Sequence, residues 1–153
     1  MRLDRLSNIK YAHLLDGKGA SINSGRWNSL NVPMIYASST ASLAFLELLR
    51  RFKPRHIPIN YCLVEYTLED EVSILEITAK ELPTNWDSPV HNDKTQLIGD
   101  KFIRDGNHLL LRVPSVLLPN EYHYNINPLH PDMGKLSICD IVKTPVNSNL
   151  FAK

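Results

Sequence analysis

Residues 39–52 read STASLAFLELLRRF, a helix-forming run whose leucines and alanines lie on nearly every side and whose single acid, Glu47, sits in the middle. A helix apolar nearly all round has to be packed into a core, so this run demands a folded domain around it. At about 100° per residue, Leu43, Glu47 and Arg51 share one stripe. Two readings of Glu47 fit that pattern. It can form an exposed pair with Arg51, worth about a few tenths of a kcal/mol. Alternatively, it can face a cleft, because an acid on a buried helix needs a partner or a way to solvent. Ser38 or Ser39 is placed to cap the first turn.

The residues before the helix form a turn that presents an arginine, Gly25-Arg26-Trp27-Asn28, followed by a short apolar run ending in tyrosine, Met34-Ile35-Tyr36. Glycine and asparagine tolerate the backbone conformations such turns require. Gly17 and Gly19 mark a loop upstream. Residues 61–68 are rich in β-branched and aromatic side chains and predict a strand. Residues 72–77 predict a second strand, hairpin-paired with the first across 69–71. One helical turn is expected at 78–82, and a helix at 93–104 with Gly106 as its C′ residue. Residues 109–111 form an apolar strand that resumes at 116–118. A long polar loop covers 119–133, and a last strand spans 136–142. Strands and helices mix without strict alternation, which predicts an α+β fold in a single domain over 1–153.

Bulk properties remove several function classes. A net charge of +1 gives no basic footprint, so nucleic acid is not the expected partner. No apolar run is long enough for a membrane span, and the N-terminal residues lack the apolar core of a signal peptide, so a cytoplasmic protein is expected. Cys62 and Cys139 lie far apart in apolar alternating segments and are read as buried thiols. His91, His108, His123 and His130 are scattered singly, so no metal is expected. Ser115, His130 and Asp132 could be assembled into a hydrolytic triad, but nothing resembling a nucleophile elbow surrounds Ser115.

The ordered set of motifs resembles the RES domain, named for an arginine, a glutamate and a serine and found as the toxin half of bacterial toxin–antitoxin pairs. The matching pieces are Asp16-Gly17-Lys18-Gly19, Gly25-Arg26-Trp27-Asn28, Ile35-Tyr36-Ala37, Leu43-Ala44-Phe45-Leu46-Glu47, Val113-Pro114-Ser115 and Asn127-Pro128-Leu129-His130-Pro131. There are departures. Ser24 stands where the family has a glycine, as does Asn31, and Phe102 replaces a tryptophan after Gly99-Asp100-Lys101. The resemblance implies an ADP-ribosyltransferase-like fold, a mixed sheet with flanking helices. It also implies NAD+ as substrate rather than a bound cofactor.

Cleavage of nicotinamide from NAD+ has requirements that Arg26, Tyr36, Glu47 and Ser115 meet one by one. A guanidinium can hold the pyrophosphate, and an aromatic ring can pack on the nicotinamide and its ribose. A carboxylate can stabilise the oxocarbenium-like ribose, and a hydroxyl can orient a phosphate or the carboxamide. Arg5 is the candidate second pocket arginine, with Arg2 its competitor. Asn127 and His130 are read as shaping the loop over the pocket, and Trp27 as packing under the turn. The implied activity is that of an NAD+ glycohydrolase or phosphorylase, with mono-ADP-ribosylation of a protein as the alternative. An inactive module that only grips an antitoxin is the reading from another class. The implied partner is an Xre-type helix-turn-helix antitoxin, in a complex that allows a toxin homodimer.

Overall fold

Alternation along the strands buries both faces of one sheet. In β2 (Ile35–Ser38), Ile35 and Ala37 enter one core with Leu3, Cys62, Val64, Tyr66, Leu110 and Ile126. Tyr36 points the other way, against a second core of Trp27, Met34, Phe102, Ile103, Leu111 and Val113. The continuous apolar run at 109–111 follows from this, because a strand covered on both sides needs no polar alternation. In the computed structural model, residues 1–51, 60–69, 71–89 and 93–143 are described.

The elements in chain order are β1 (Arg2–Asn8), α1 (Lys18–Asn23), β2, α2 (Ala41–Arg51), β3 (Tyr61–Leu68), β4 (Ile74–Glu76), α3 (Asp93–Asp105), β5 (Leu110–Pro114), β6 (Tyr122–Ile126) and β7 (Leu136–Lys143). The seven strands form one sheet in the order β4-β5-β6-β2-β1-β3-β7. All neighbours are antiparallel except β4 and β5, which are parallel. The expected α+β architecture, a mixed sheet with helices, is therefore the one observed.

Several expectations need correction. The 72–77 strand does not form a hairpin with β3. Both edges of β3 are taken, by β1 and β7, and β4 instead runs parallel to β5. Residues 116–118 do not resume a strand, because Ser115 Oγ accepts the amides of Leu117 at 3.0 Å and Leu118 at 3.2 Å and turns the chain. The polar loop at 119–133 contains β6, which lies between β5 and β2. Thr40, not Ser38 or Ser39, caps α2, with its Oγ1 accepting the Leu43 amide at 3.2 Å. Cys62 is buried and Cys139 exposed, and both are free thiols. Pro54, Asp70 and His91 lie outside the described residues. The helix expected at 93–104 is present, and Gly106 closes it with φ +62° and an N–H that donates to the Phe102 carbonyl at 3.3 Å.

Candidate active site

The turn that carries Arg26 is fixed from beneath by Asn28 and Tyr36. Asn28 is fully buried. Its Nδ2 donates to the carbonyls of Ala20 at 2.9 Å and Val32 at 3.0 Å, and its Oδ1 accepts the Tyr36 hydroxyl at 2.6 Å. The same hydroxyl accepts the Trp27 amide at 3.1 Å. Burial pushes the Tyr36 phenol far above its ordinary pKa, so it remains a donor. The close approach explains Gly25, where a Cβ would collide with the Tyr36 hydroxyl. From α3, Gln96 donates to the Gly25 carbonyl at 2.9 Å, and Asp100 accepts the Ser29 amide at 2.9 Å. Ser24 and Asn31 take φ of +51° and +67°, the left-handed region that glycine occupies most easily.

Arg26 is itself buried. Its two terminal nitrogens donate to the carbonyls of Trp86 and Ser88, the latter at 2.8 Å. Of its five N–H donors, these bonds engage two and hold the 86–88 loop against the turn. Trp86 in turn faces Trp27 with ring centroids 6.5 Å apart. Burial lowers the Arg26 pKa, aided by Arg50 and opposed by Glu47 and Asp87. Arg26, Glu47 and Arg50 are therefore close enough to feel one another's charge.

Glu47 follows from the packing of α2, which lies on β1 and β2 through Leu43, Ala44 and Leu48. That stripe brings Glu47, four residues after Leu43 and three after Ala44, to the edge of the buried face, with its side chain 20% exposed. Its Oε1 lies 3.1 Å from His123 Nε2 on β6, and its Oε2 lies 3.3 Å from Arg50. The ion pair along the helix is made with Arg50, three residues from Glu47, rather than with Arg51 as in the exposed-pair reading. Burial pushes the carboxyl pKa up. The His123 hydrogen bond and the charges of His123, Arg50 and Arg51 outweigh it and hold Glu47 below its ordinary 4.5.

The remaining predicted residues are dispersed. Ser115 lies at the end of β5, where its hydroxyl caps a turn. It lines an open cleft of about 320 Å³ together with Glu76, Trp86, Glu121 and Tyr122. This cleft adjoins the Arg26 loop through Trp86 but is not lined by Arg26 or Glu47. Arg5 donates to the Tyr66 hydroxyl at 3.3 Å. Asp4 is paired with Ser38, so Arg5, one residue on, belongs to the opposite face of the sheet from Tyr36 and Ser38. Its competitor Arg2 pairs with Glu65. Asn127 is fully buried. It accepts the Leu129 amide at 3.0 Å, while His130 Nδ1 accepts the Asp132 amide at 3.0 Å. Both shape the loop that bears them. Trp27 is buried under its turn as expected. The residue that sequence reasoning missed is His123. It lies 76 positions from Glu47, and only the pairing of β6 with β2 brings the two together.

Residues 2–145 match the family model described as RES domain. The chain belongs to the RES-domain family. Among relatives of this RES chain, the "Prs ADP-ribosylating toxin" of Sphingobium sp. (strain YBL2) is 38% identical over 120 residues, 77% of this chain and 74% of that protein. "Toxin Res" of Pseudomonas putida is 34% identical over 141 residues, 90% of this chain and 92% of its relative. "Toxin Res" of Photorhabdus laumondii is 31% identical over 137 residues, covering 88% and 86%. The RES fold is shared with the toxin chain in the crystal structure of the M. tuberculosis MbcT–MbcA toxin–antitoxin complex. That match has a TM-score of 0.73 at 18% identity, covering 98% of this chain and 86% of the other. The mixed sheet with flanking helices expected from the sequence is the fold this likeness supports. Among the described residues, no helix is long and apolar enough to cross a membrane.

Proposed function

We propose that this chain is the toxin of a toxin–antitoxin pair and that it consumes NAD+ by breaking the nicotinamide–ribose bond. The observation that carries this reading is Glu47, a carboxylate on a packed helix, held ionised by His123, Arg50 and Arg51. In the cleavage, the C1′–N bond breaks and its electron pair passes to the nicotinamide nitrogen, which leaves as a neutral base. The ribose becomes an oxocarbenium-like cation, and Glu47 stabilises that charge as it develops. Attack by water gives ADP-ribose and releases a proton; attack by phosphate gives ADP-ribose-1″-phosphate. Arg26 binds the pyrophosphate through the N–H groups its loop contacts leave over. Tyr36 supports the turn that aims Arg26, and its ring offers an apolar surface beside it. Ser115, on the neighbouring cleft, contacts the substrate's carboxamide or a phosphate.

Transfer of the ADP-ribosyl group to a protein is the second reading, favoured by the similarity to the "Prs ADP-ribosylating toxin" of Sphingobium. One incubation with NAD+, with and without phosphate, separates the outcomes. Free ADP-ribose, its 1″-phosphate and modified protein each identify a different acceptor. Glu47→Gln keeps the shape and removes the charge, so it should abolish turnover in a folded protein. Near-normal NAD+ consumption by that variant would overturn the reading. We further propose that an antitoxin, of the helix-turn-helix kind expected from the sequence, restrains the toxin; the toxin–antitoxin complex in which the similar fold was solved supports an antitoxin partner. Expression of the chain alone should arrest growth and lower cellular NAD+. Co-expression with the antitoxin should relieve both through a complex that co-purifies.

A further inference from the structure

His123 makes a bond at each ring nitrogen. Its Nε2 lies 3.1 Å from Glu47 Oε1, and its Nδ1 lies 3.2 Å from Ser38 Oγ. An ionised carboxylate only accepts hydrogen bonds, so Nε2 carries the proton and donates to Glu47. At the other ring nitrogen, Nδ1 is paired with the Ser38 hydroxyl. The ring is anchored independently of its bonds, because His123 sits directly opposite Ser38 in the β2–β6 pairing and opposite Val113 in the β5–β6 pairing. Ser38 is itself buried.

We infer that His123 is a positioning residue for Glu47, fixing the direction in which the carboxylate faces the substrate. The inference rests on the NAD+-cleaving reading and adds to it a residue that its catalytic set does not contain. The competing restraint is Arg50 on the second carboxylate oxygen. That contact is an i,i+3 pair on a side chain 37% exposed, and such pairs constrain little. The imidazole is rigid, 14% exposed and held by two strands. The charged and titratable groups facing Glu47 are His123 from β6, Arg50 and Arg51 from α2, and Arg26 from the turn.

The test is steady-state kinetics with NAD+ across pH on His123→Ala, His123→Asn and His123→Gln, with thermal melts to establish folding. Glutamine places an amide donor near the position of Nε2, whereas asparagine reaches only as far as Nδ1. The Ala and Asn variants should lose kcat by about ten- to hundredfold, the equivalent of one charge-assisted hydrogen bond, with KM little changed. The Gln variant should recover most of that loss. The acidic limb of kcat should move to higher pH in His123→Ala, because a bond that favours the ionised carboxylate has gone. Equal kcat in all three variants, or a Gln variant as impaired as Ala, would overturn the positioning role. Glu47→Gln is run alongside. If it stays active, the NAD+-cleaving assignment of Glu47 fails. If it is inactive while the His123 variants behave like the wild type, only the present inference fails.

Discussion

Replacing Tyr36 by phenylalanine separates what its hydroxyl does from what its ring does. The hydroxyl makes two bonds, donating to Asn28 Oδ1 at 2.6 Å and accepting the Trp27 amide at 3.1 Å. Both partners are buried, Asn28 completely and Trp27 to within 3%, so water cannot replace the lost oxygen. Leaving a buried polar group unpaired costs about 1–3 kcal/mol, so two orphans cost about 2–6 kcal/mol. For a chain of this length, about 1 kcal/mol shifts Tm by about 2–4 °C. A mid-range cost of about 4 kcal/mol therefore predicts a fall of about 8–16 °C, read by differential scanning calorimetry. The variant keeps the ring, so any substrate contact made by its face survives. Loss of catalytic efficiency should then track loosening of the Arg26 turn. A melting temperature within about 2 °C of the wild type would refute the view that this hydroxyl is the pin beneath the turn.

Arg26→Lys cannot reach the Trp86 and Ser88 carbonyls with two parallel donors. It should weaken NAD+ binding, measured by calorimetric titration in the Glu47→Gln background; an unchanged Kd would confine Arg26 to clamping its loop. The pKa of Glu47 is depressed in the folded protein, so the stability its ionisation contributes is complete above the ordinary carboxylate range and is lost as pH falls from there through the depressed value. The acidic limb of kcat should accordingly lie below 4.5 in a pH–rate profile, and a limb above that would contradict the assignment. Gly99→Ala drives a Cβ into the Trp27 carbonyl oxygen on the underside of the same turn. It should lower stability by about 1–3 kcal/mol in denaturant titration. Ser115→Ala removes the acceptor for two turn amides and should cost about 1 kcal/mol. A drop in turnover far beyond that would place the hydroxyl on the substrate.

What the sequence revealed divides along local and non-local lines. The Arg26 turn was legible because Gly25 and Asn28 are demanded locally, and α2 because its apolar periodicity is local. Strand β6 was not. Its residues Tyr122–Ile126 are flanked by asparagines and prolines, and only Asn125 and Ile126 are buried, so the segment reads as loop until β2 and β5 supply its edges. Likewise the short link after β3 suggested a hairpin, and nothing local reveals that β1 and β7 already occupy both edges of β3. The choice of Ser115 for substrate contact came from family resemblance. The bonds its hydroxyl makes here are to the amides of Leu117 and Leu118, three residues away at most.

The charge state of Glu47 is therefore a property of the sheet rather than of its helix. On α2 alone, burial raises the carboxyl pKa, and Arg50 and Arg51 near the solvent edge oppose it. The leading counterweight is His123, and His123 is available because β6 pairs with β2 in one register, His123 opposite Ser38 and Tyr124 opposite Ala37. A slip of one residue would turn every side chain of β6 to the other face. Tyr122 or Tyr124 would then stand where the imidazole stands, and neither offers a ring nitrogen to the carboxylate. The arginine turn could still form, since Asn28 and Tyr36 build it without β6. The helix could still pack through Leu43, Ala44 and Leu48. The pairing of β6 with β2 is what joins those two locally encoded pieces into a site with an oriented, ionised carboxylate.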